Sequence, residues 1–216
     1  SDIDNEVKQE TIDNQPIYVA DGLNGRPAVR FDGNSQYLNL NWANGSLSTD
    51  SITMFLVLKN NNMSGSTQVV MGNYNKDNAV SISISSQNHD LVARITSYSH
   101  SCSFTNEAGP YVLTFDYDSS KMRTFVNGSQ KNTFSTNQSI NWGATAIGRS
   151  GTGSSTYPWQ GDIAEIRIYN RALSDVERGV IEHELQAKWF GDSSNPGEPG
   201  GASVLYNPYN GVNWEI

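Results

Sequence analysis

Cysteine is almost absent from this 216-residue sequence: Cys102 stands alone, which excludes an internal disulfide framework and a cysteine-based zinc cluster. No histidine motif accompanies it, so the thiol reads as buried or incidental rather than as a nucleophile. Positive charge is scarce too. With 14 Lys and Arg against 22 Asp and Glu, the net charge is −8 and the pI is near 4.8. That field repels phosphate backbones and anionic membranes, so neither nucleic acid nor a membrane surface is the expected partner. No apolar run approaches the roughly 18 residues that span a bilayer, so no membrane insertion is expected. The chain opens on a polar run, Ser1 to Glu10, rather than a signal peptide, as a processed or trimmed chain would.

What is abundant is neutral polarity. Charged residues make up 17%, while the sequence holds 24 Asn and 27 Ser. Amides and hydroxyls suit hydrogen bonding to neutral polar ligands.

Short apolar runs with alternation and turn punctuation predict strands near 16–20, 28–32, 36–41, 52–59, 68–73, 79–85, 91–98, 111–117, 122–127, 144–148 and 160–170. That density means an all-β, antiparallel two-sheet sandwich or jelly roll. Val80, Ile82 and Ile84 alternate with Ser81, Ser83 and Ser85, predicting one core face and one wet face. Ile163, Ile166 and Ile168 around Glu165 and Arg167 read the same way but slip by one residue at Ala164, the mark of a bulge or of two-sided burial. Asn127-Gly128 predicts a tight hairpin between Met122–Val126 and a polar strand, Ser129–Phe134.

One C-terminal helix interrupts this pattern. Ser174 and Glu177 form a capping box, Val176, Val180, Ile181, Leu185 and Trp189 share a face, and Gly191 ends it. Residues 1–15 read as a polar leader, 16–191 as the sandwich and 192–203 as a Gly/Pro/Ser linker. The apolar tail, 204–216, either packs back on the sandwich or begins a following domain, and the second is the preferred expectation.

Two segments carry a family resemblance: Asn24-Gly25-Arg26-Pro27-Ala28-Val29-Arg30-Phe31-Asp32-Gly33 with Tyr37-Leu38, and the run from Gly161-Asp162-Ile163-Ala164-Glu165 to Ser174-Asp175-Val176-Glu177-Arg178. Over residues 16–191 the chain resembles bacterial laminin G-like domains of the concanavalin A-like lectin/glucanase superfamily. The resemblance implies a jelly-roll sandwich serving as a non-catalytic carbohydrate-binding or adhesive module of a larger secreted bacterial protein. Its expected location is extracellular or on the cell surface, and its partners a polysaccharide or glycan and further domains of the same chain. The alternatives are a structural spacer or protein-binding domain without a glycan site, and thirdly a glycan-cleaving enzyme. The tail from Tyr206-Asn207-Pro208-Tyr209 to Trp214-Glu215 is similar to the opening of secreted metal-dependent phosphoesterase domains of the polymerase-and-histidinol-phosphatase type.

The resemblance also implies structural calcium, with Asp162 as side-chain ligand and Asp32, Gly33 or Asn34 as loop partners. Calcium takes six to eight oxygens in flexible geometry. The other reading is that Asp162 only caps a turn. For a sugar, an aromatic face and several amides or hydroxyls are needed, and Trp42, Asn73, Tyr74, Asn75, Trp142, Arg149 and Tyr157 are the loop or strand-end candidates. Each aromatic has a packing role as its alternative, and Trp159 is read as core.

Catalysis finds little support. Asp116 and Asp118 have a glycosidase-like spacing but read as a strand end and turn, and Asp2-Ile3-Asp4-Asn5-Glu6 lies in the leader. His89, His100 and His183 form no triad or zinc pattern, and Gly148-Arg149-Ser150-Gly151-Thr152-Gly153-Ser154-Ser155 lacks the phosphate-loop lysine and helix.

Overall fold

In the computed structural model, the residues described are 6–41, 50–62, 65–74, 79–86, 90–95, 101–104, 109–140, 145–151, 156–191 and 212–215. Fifteen strands follow in chain order: β1 (Glu6–Lys8), β2 (Ile17–Leu23), β3 (Arg26–Asp32), β4 (Leu38–Asn41), β5 (Ile52–Asn60), β6 (Gln68–Gly72), β7 (Val80–Ile84), β8 (Leu91–Ile95), β9 (Ser101–Phe104), β10 (Tyr111–Tyr117), β11 (Lys121–Val126), β12 (Ser129–Ser135), β13 (Thr145–Ile147), β14 (Gln160–Tyr169) and β15 (Val212–Glu215). One helix, α1 (Asp175–Phe190), follows β14.

All pairings are antiparallel. The first sheet runs β1-β4-β13-β6-β7-β8-β9 and the second β12-β11-β10-β5-β14-β3-β2, with β15 beside the distal half of β14. This is the two-sheet jelly-roll sandwich that the strand density and the resemblance implied. The main core lies between the sheets and includes Met54, Leu56, Leu58, Ile82, Phe115, Trp159 and Ile166. A second core lies on the other face of the second sheet, where Phe55, Val57, Val112 and Ala164 meet Leu173, Leu185 and Trp189. The second sheet is therefore apolar on both sides, which is why β5 reads as the near-continuous run Ile52–Leu58 rather than as an alternation.

Several local features form as their sequence dictates. Asn127 and Gly128 both have positive φ, 49° and 78°, and turn β11 into β12. Asn24 and Gly25, at 52° and 75°, make the equivalent turn between β2 and β3. The Ser174 hydroxyl accepts the Glu177 N–H at 3.2 Å while Glu177 accepts the Ser174 N–H at 2.9 Å, closing the capping box. The register between β14 and β5 shifts between Ile163 and Glu165, so Ala164 is both a bulge and buried.

Other expectations are corrected. The segment expected to be a leader over 1–15 contributes β1, which pairs with β4 and sends Val7 to the core. Residues 212–215 pair with β14. The second face of β7 is not wet: Ser81 and Ser83 are buried. Glu165 and Arg167 are buried as well, because α1 lies across their face of β14. The helix itself is rotated from its expected facing. Val176 and Val180 are 77% and 63% exposed, and Glu182 joins Leu185 and Trp189 in the buried stripe. Contacts with the second sheet, together with an ion pair inside the helix, chose that face. Arg178 reaches Glu182 at 2.5 Å and lies over the Phe125 ring, while Trp189 donates its indole N–H to Glu165 at 2.6 Å.

Candidate functional site

One end of the sandwich gathers most of the residues singled out for binding. The β3–β4 connection, the β13–β14 connection and the segment after β1 leave their strands at one end of the first sheet, and the β13–β14 connection folds back to meet the start of the β6–β7 connection through Gly72 and Tyr74. The β13–β14 connection is tied down by backbone bonds. Trp159 N–H donates to Gly148 C=O at 2.8 Å, Ser150 N–H to Thr156 C=O at 2.7 Å and Gly151 N–H to Gly72 C=O at 3.0 Å. Val69 N–H donates to Tyr157 C=O at 2.8 Å.

Tyr157 has φ 49°, a left-handed backbone that a bulky L-residue adopts only when its surroundings hold it there. The consequence is a ring contact: Tyr74 and Tyr157 lie 4.8 Å apart, tilted by 51°. The Arg94 guanidinium sits 4.3 Å over the Tyr74 ring. Arg94 reaches this face because Ala93 and Ile95, its neighbours in β8, point to the core. Ser150 reinforces the cluster by accepting the Tyr74 N–H on its Oγ at 3.1 Å.

A second arginine–tyrosine pair adjoins the first. Arg149 places its guanidinium 3.2 Å from the centre of the Tyr37 ring. Tyr37 in turn lines a polar recess of about 300 Å³ with Lys8, Gln9, Glu10, Thr11 and Asn39. The recess is held by its own bonds: Tyr37 N–H donates to Asn14 C=O at 3.0 Å and Gln15 Nε2 to Gln9 C=O at 2.7 Å.

Of the seven residues expected to bind a ligand, Tyr74, Arg149 and Tyr157 are brought together at this end. Asn73 is also there but only 1% exposed, so its amide is shut beneath the turn and serves the fold rather than a surface. Trp42, Asn75 and Trp142 lie outside the described residues. Arg94, Tyr37 and the recess were not foreseen. Arg94 sits mid-strand in an apolar run, and the pairing of Tyr37 with Arg149 joins residues 112 positions apart, so no local pattern announces it. Trp159 is wholly buried in the core.

The residues considered for calcium behave differently. Asp162 is fully buried, and both its oxygens accept from Arg30, at 2.7 and 2.9 Å from Nε and Nη2. A guanidinium thus stands where the ion would give Asp162 its positive charge, and the carboxylate offers no oxygen unoccupied by that fork. Asp32 is exposed, and its Oδ1 accepts the N–H groups of Asn34, Ser35 and Gln36 at 2.8–3.3 Å, an Asx-type turn. Gly33, at φ 75°, serves that turn. The set does not fit a calcium ion, and among the described residues no cluster of three His, Cys, Asp or Glu side chains could hold a metal.

The residues weighed for catalysis are dispersed. Asp116 is a strand residue held by both ends of the Arg123 fork at 2.9 and 2.7 Å, with burial raising its pKa against that partner. Asp118 caps a turn by accepting from Ser120 and Lys121. His183 is exposed on α1, whereas His89, His100 and residues 152–155 lie outside the described residues. Cys102 falls in β9, of which only the backbone is described.

A laminin G-type family profile, described as the concanavalin A-like lectin/glucanases superfamily, matches residues 32–177. The chain belongs to this superfamily. Solved structures share its sandwich at low sequence identity. Domain 4 of AbnA, a GH43 extracellular arabinanase from Geobacillus stearothermophilus, in complex with arabinotriose, is 20% identical with a TM-score of 0.62 over 82% of this chain and 87% of that one. The binding domain of botulinum neurotoxin DC in complex with SialylT is 14% identical, TM-score 0.64, over 87% and 48% of the two chains. The binding domain of Paraclostridial Mosquitocidal Protein 1 is 14% identical, TM-score 0.62, over 84% and 48%. This superfamily member therefore spans about half the length of those two toxin domains. No curated protein matches its sequence. No helix among the described residues is long and apolar enough to cross a membrane.

Proposed function

We propose that this superfamily member is a non-catalytic saccharide-binding module of a larger secreted protein, and that its site is the end of the sandwich carrying Tyr74, Tyr157 and Arg94. The observation that carries the reading is the tyrosine pair itself. A half-buried ring held by a left-handed backbone against a second ring, with a guanidinium over it, presents a fixed aromatic face of the kind that packs on the apolar side of a pyranose or furanose. The flanking polar recess supplies the amide and hydroxyl groups of Gln9, Thr11 and Asn39. That domain 4 of the arabinanase was solved with arabinotriose supports a saccharide ligand on this fold, although fold alone does not carry function. Calcium has no part in this reading.

The test is affinity electrophoresis and calorimetry against a panel of plant and bacterial polysaccharides, with reducing-end release measured in parallel. Binding without release, lost in Tyr74→Ala and Tyr157→Ala variants whose unfolding midpoints match the parent, is the expected result. No binding to any member of the panel would favour the spacer reading, and release of reducing ends the enzymatic one.

A further inference from the structure

Arg149 differs from most of the arginines and shares its tyrosine stacking with Arg94. Arg30, Arg123, Arg167, Arg171 and Arg178 each meet a carboxylate within 3 Å. Arg149 meets none. Its one contact is the Tyr37 ring, and its Nε is buried without a hydrogen-bond partner. In a chain with 22 acidic and 14 basic residues, carboxylates are in surplus, so an arginine stacked, oriented and left without one is unusual. A buried guanidinium N–H with no acceptor costs free energy that an arriving anion would recover. Stacking on Tyr37 fixes the plane of this half-buried guanidinium, an arrangement pre-organised for recognition of a planar or tetrahedral oxyanion. Lys8 and Glu10, which line the recess, pair with each other at 3.2 Å.

From this geometry we infer that the saccharide is anionic, and that Arg149 is the residue that reads its charged group, a carboxylate or a sulfate ester, while the tyrosine pair holds the ring of a sugar unit. The inference rests on the saccharide-binding reading of this end of the sandwich and adds the class of ligand.

The experiment measures binding of the whole chain to polygalacturonate, which carries carboxylates only, to dextran sulfate, which carries sulfates only, and to neutral arabinan and dextran, at low and at high salt. Expected is binding to at least one of the two acidic polymers that exceeds binding to both neutral ones and falls as salt is raised. Arg149→Gln should weaken it on the order of ten- to a hundredfold, as loss of a charge-assisted pair does, while Arg149→Lys, which keeps the charge without the fork, falls between. A merely structural role for Arg149 would lower the unfolding midpoint without changing the salt dependence of what binding remained, and that result would overturn the inference. Binding to a neutral polymer only, undiminished in Arg149→Gln, would also overturn it while leaving the saccharide-binding reading intact. Binding to none of the four would sink both.

Discussion

Removing the Glu165 carboxylate tests how α1 is held on the second sheet. Glu165 lies buried at the middle of β14 and accepts from Arg167 Nε at 2.6 Å, Trp189 Nε1 at 2.6 Å and Lys188 Nζ at 3.1 Å. Its Arg167 partner is equally buried and also donates to the half-exposed Glu184 at 3.0 Å. Glu165→Ala therefore strands an indole N–H and half the pairing of a buried guanidinium at once. Breaking one side of a buried pair costs about 3–5 kcal/mol. For a domain of this size, where each kcal/mol shifts the midpoint by roughly 2–4 °C, the melting midpoint should fall by about 6–20 °C. Replacing both partners with apolar groups, Glu165→Leu with Arg167→Met, should recover at least half of that loss, since neither charge then needs compensation.

The same variant has a pH signature. Burial pushes the Glu165 carboxyl up, but Arg167, Trp189 and Lys188 outweigh it and hold the group below its ordinary value of 4.5. A depressed folded-state pKa contributes stability that is complete above the ordinary value and is lost as pH falls through the depressed one. The gap between parent and Glu165→Ala should thus be full at pH 7 and narrow below about pH 4.5. Differential scanning calorimetry across pH 3–7 measures both. A midpoint within 2 °C of the parent at pH 7, or a double variant no better than the single one, would refute the account.

Three further outcomes are expected. Val176→Glu and Val180→Glu should each leave stability within about 0.5 kcal/mol, whereas Leu185→Ala should cost about 2–5 kcal/mol by urea unfolding, because only the latter faces the second core. Gly72→Ala should be far more destabilising than Gly25→Ala: both have positive φ, but a Cβ at Gly72 meets the backbone of Val80 and Ser81 while one at Gly25 meets open space. Adding calcium or chelator should leave the thermal midpoint unchanged, because Arg30 already neutralises Asp162; a chelator-sensitive midpoint would restore the ion.

The sequence by itself determined the class of fold and many of its joints. Those features are local: Asn127-Gly128 can turn tightly because both residues tolerate positive φ, Ser174 and Glu177 cap each other within one turn, and the slip at Ala164 bulges a strand whose hydrophobic register must change faces. It also named Tyr74, Arg149 and Tyr157 as binding candidates, since aromatic and amide-rich strand ends are visible in composition. Tertiary structure decided what depends on a distant partner. The polar segment Glu6–Lys8 becomes a strand because β4 offers an edge, and Val180 loses the buried face to Glu182 because Arg178, which pairs with that carboxylate, lies over the Phe125 ring of the second sheet. Arg94 joins Tyr74, and Tyr37 joins Arg149, across loops that sequence alone cannot align. Asp162, which looks like a calcium ligand in isolation, is claimed by Arg30 from the neighbouring strand. Charges and aromatic faces act over a few ångströms in space, whatever their separation along the chain, so their partners become known only when the sheets are assembled.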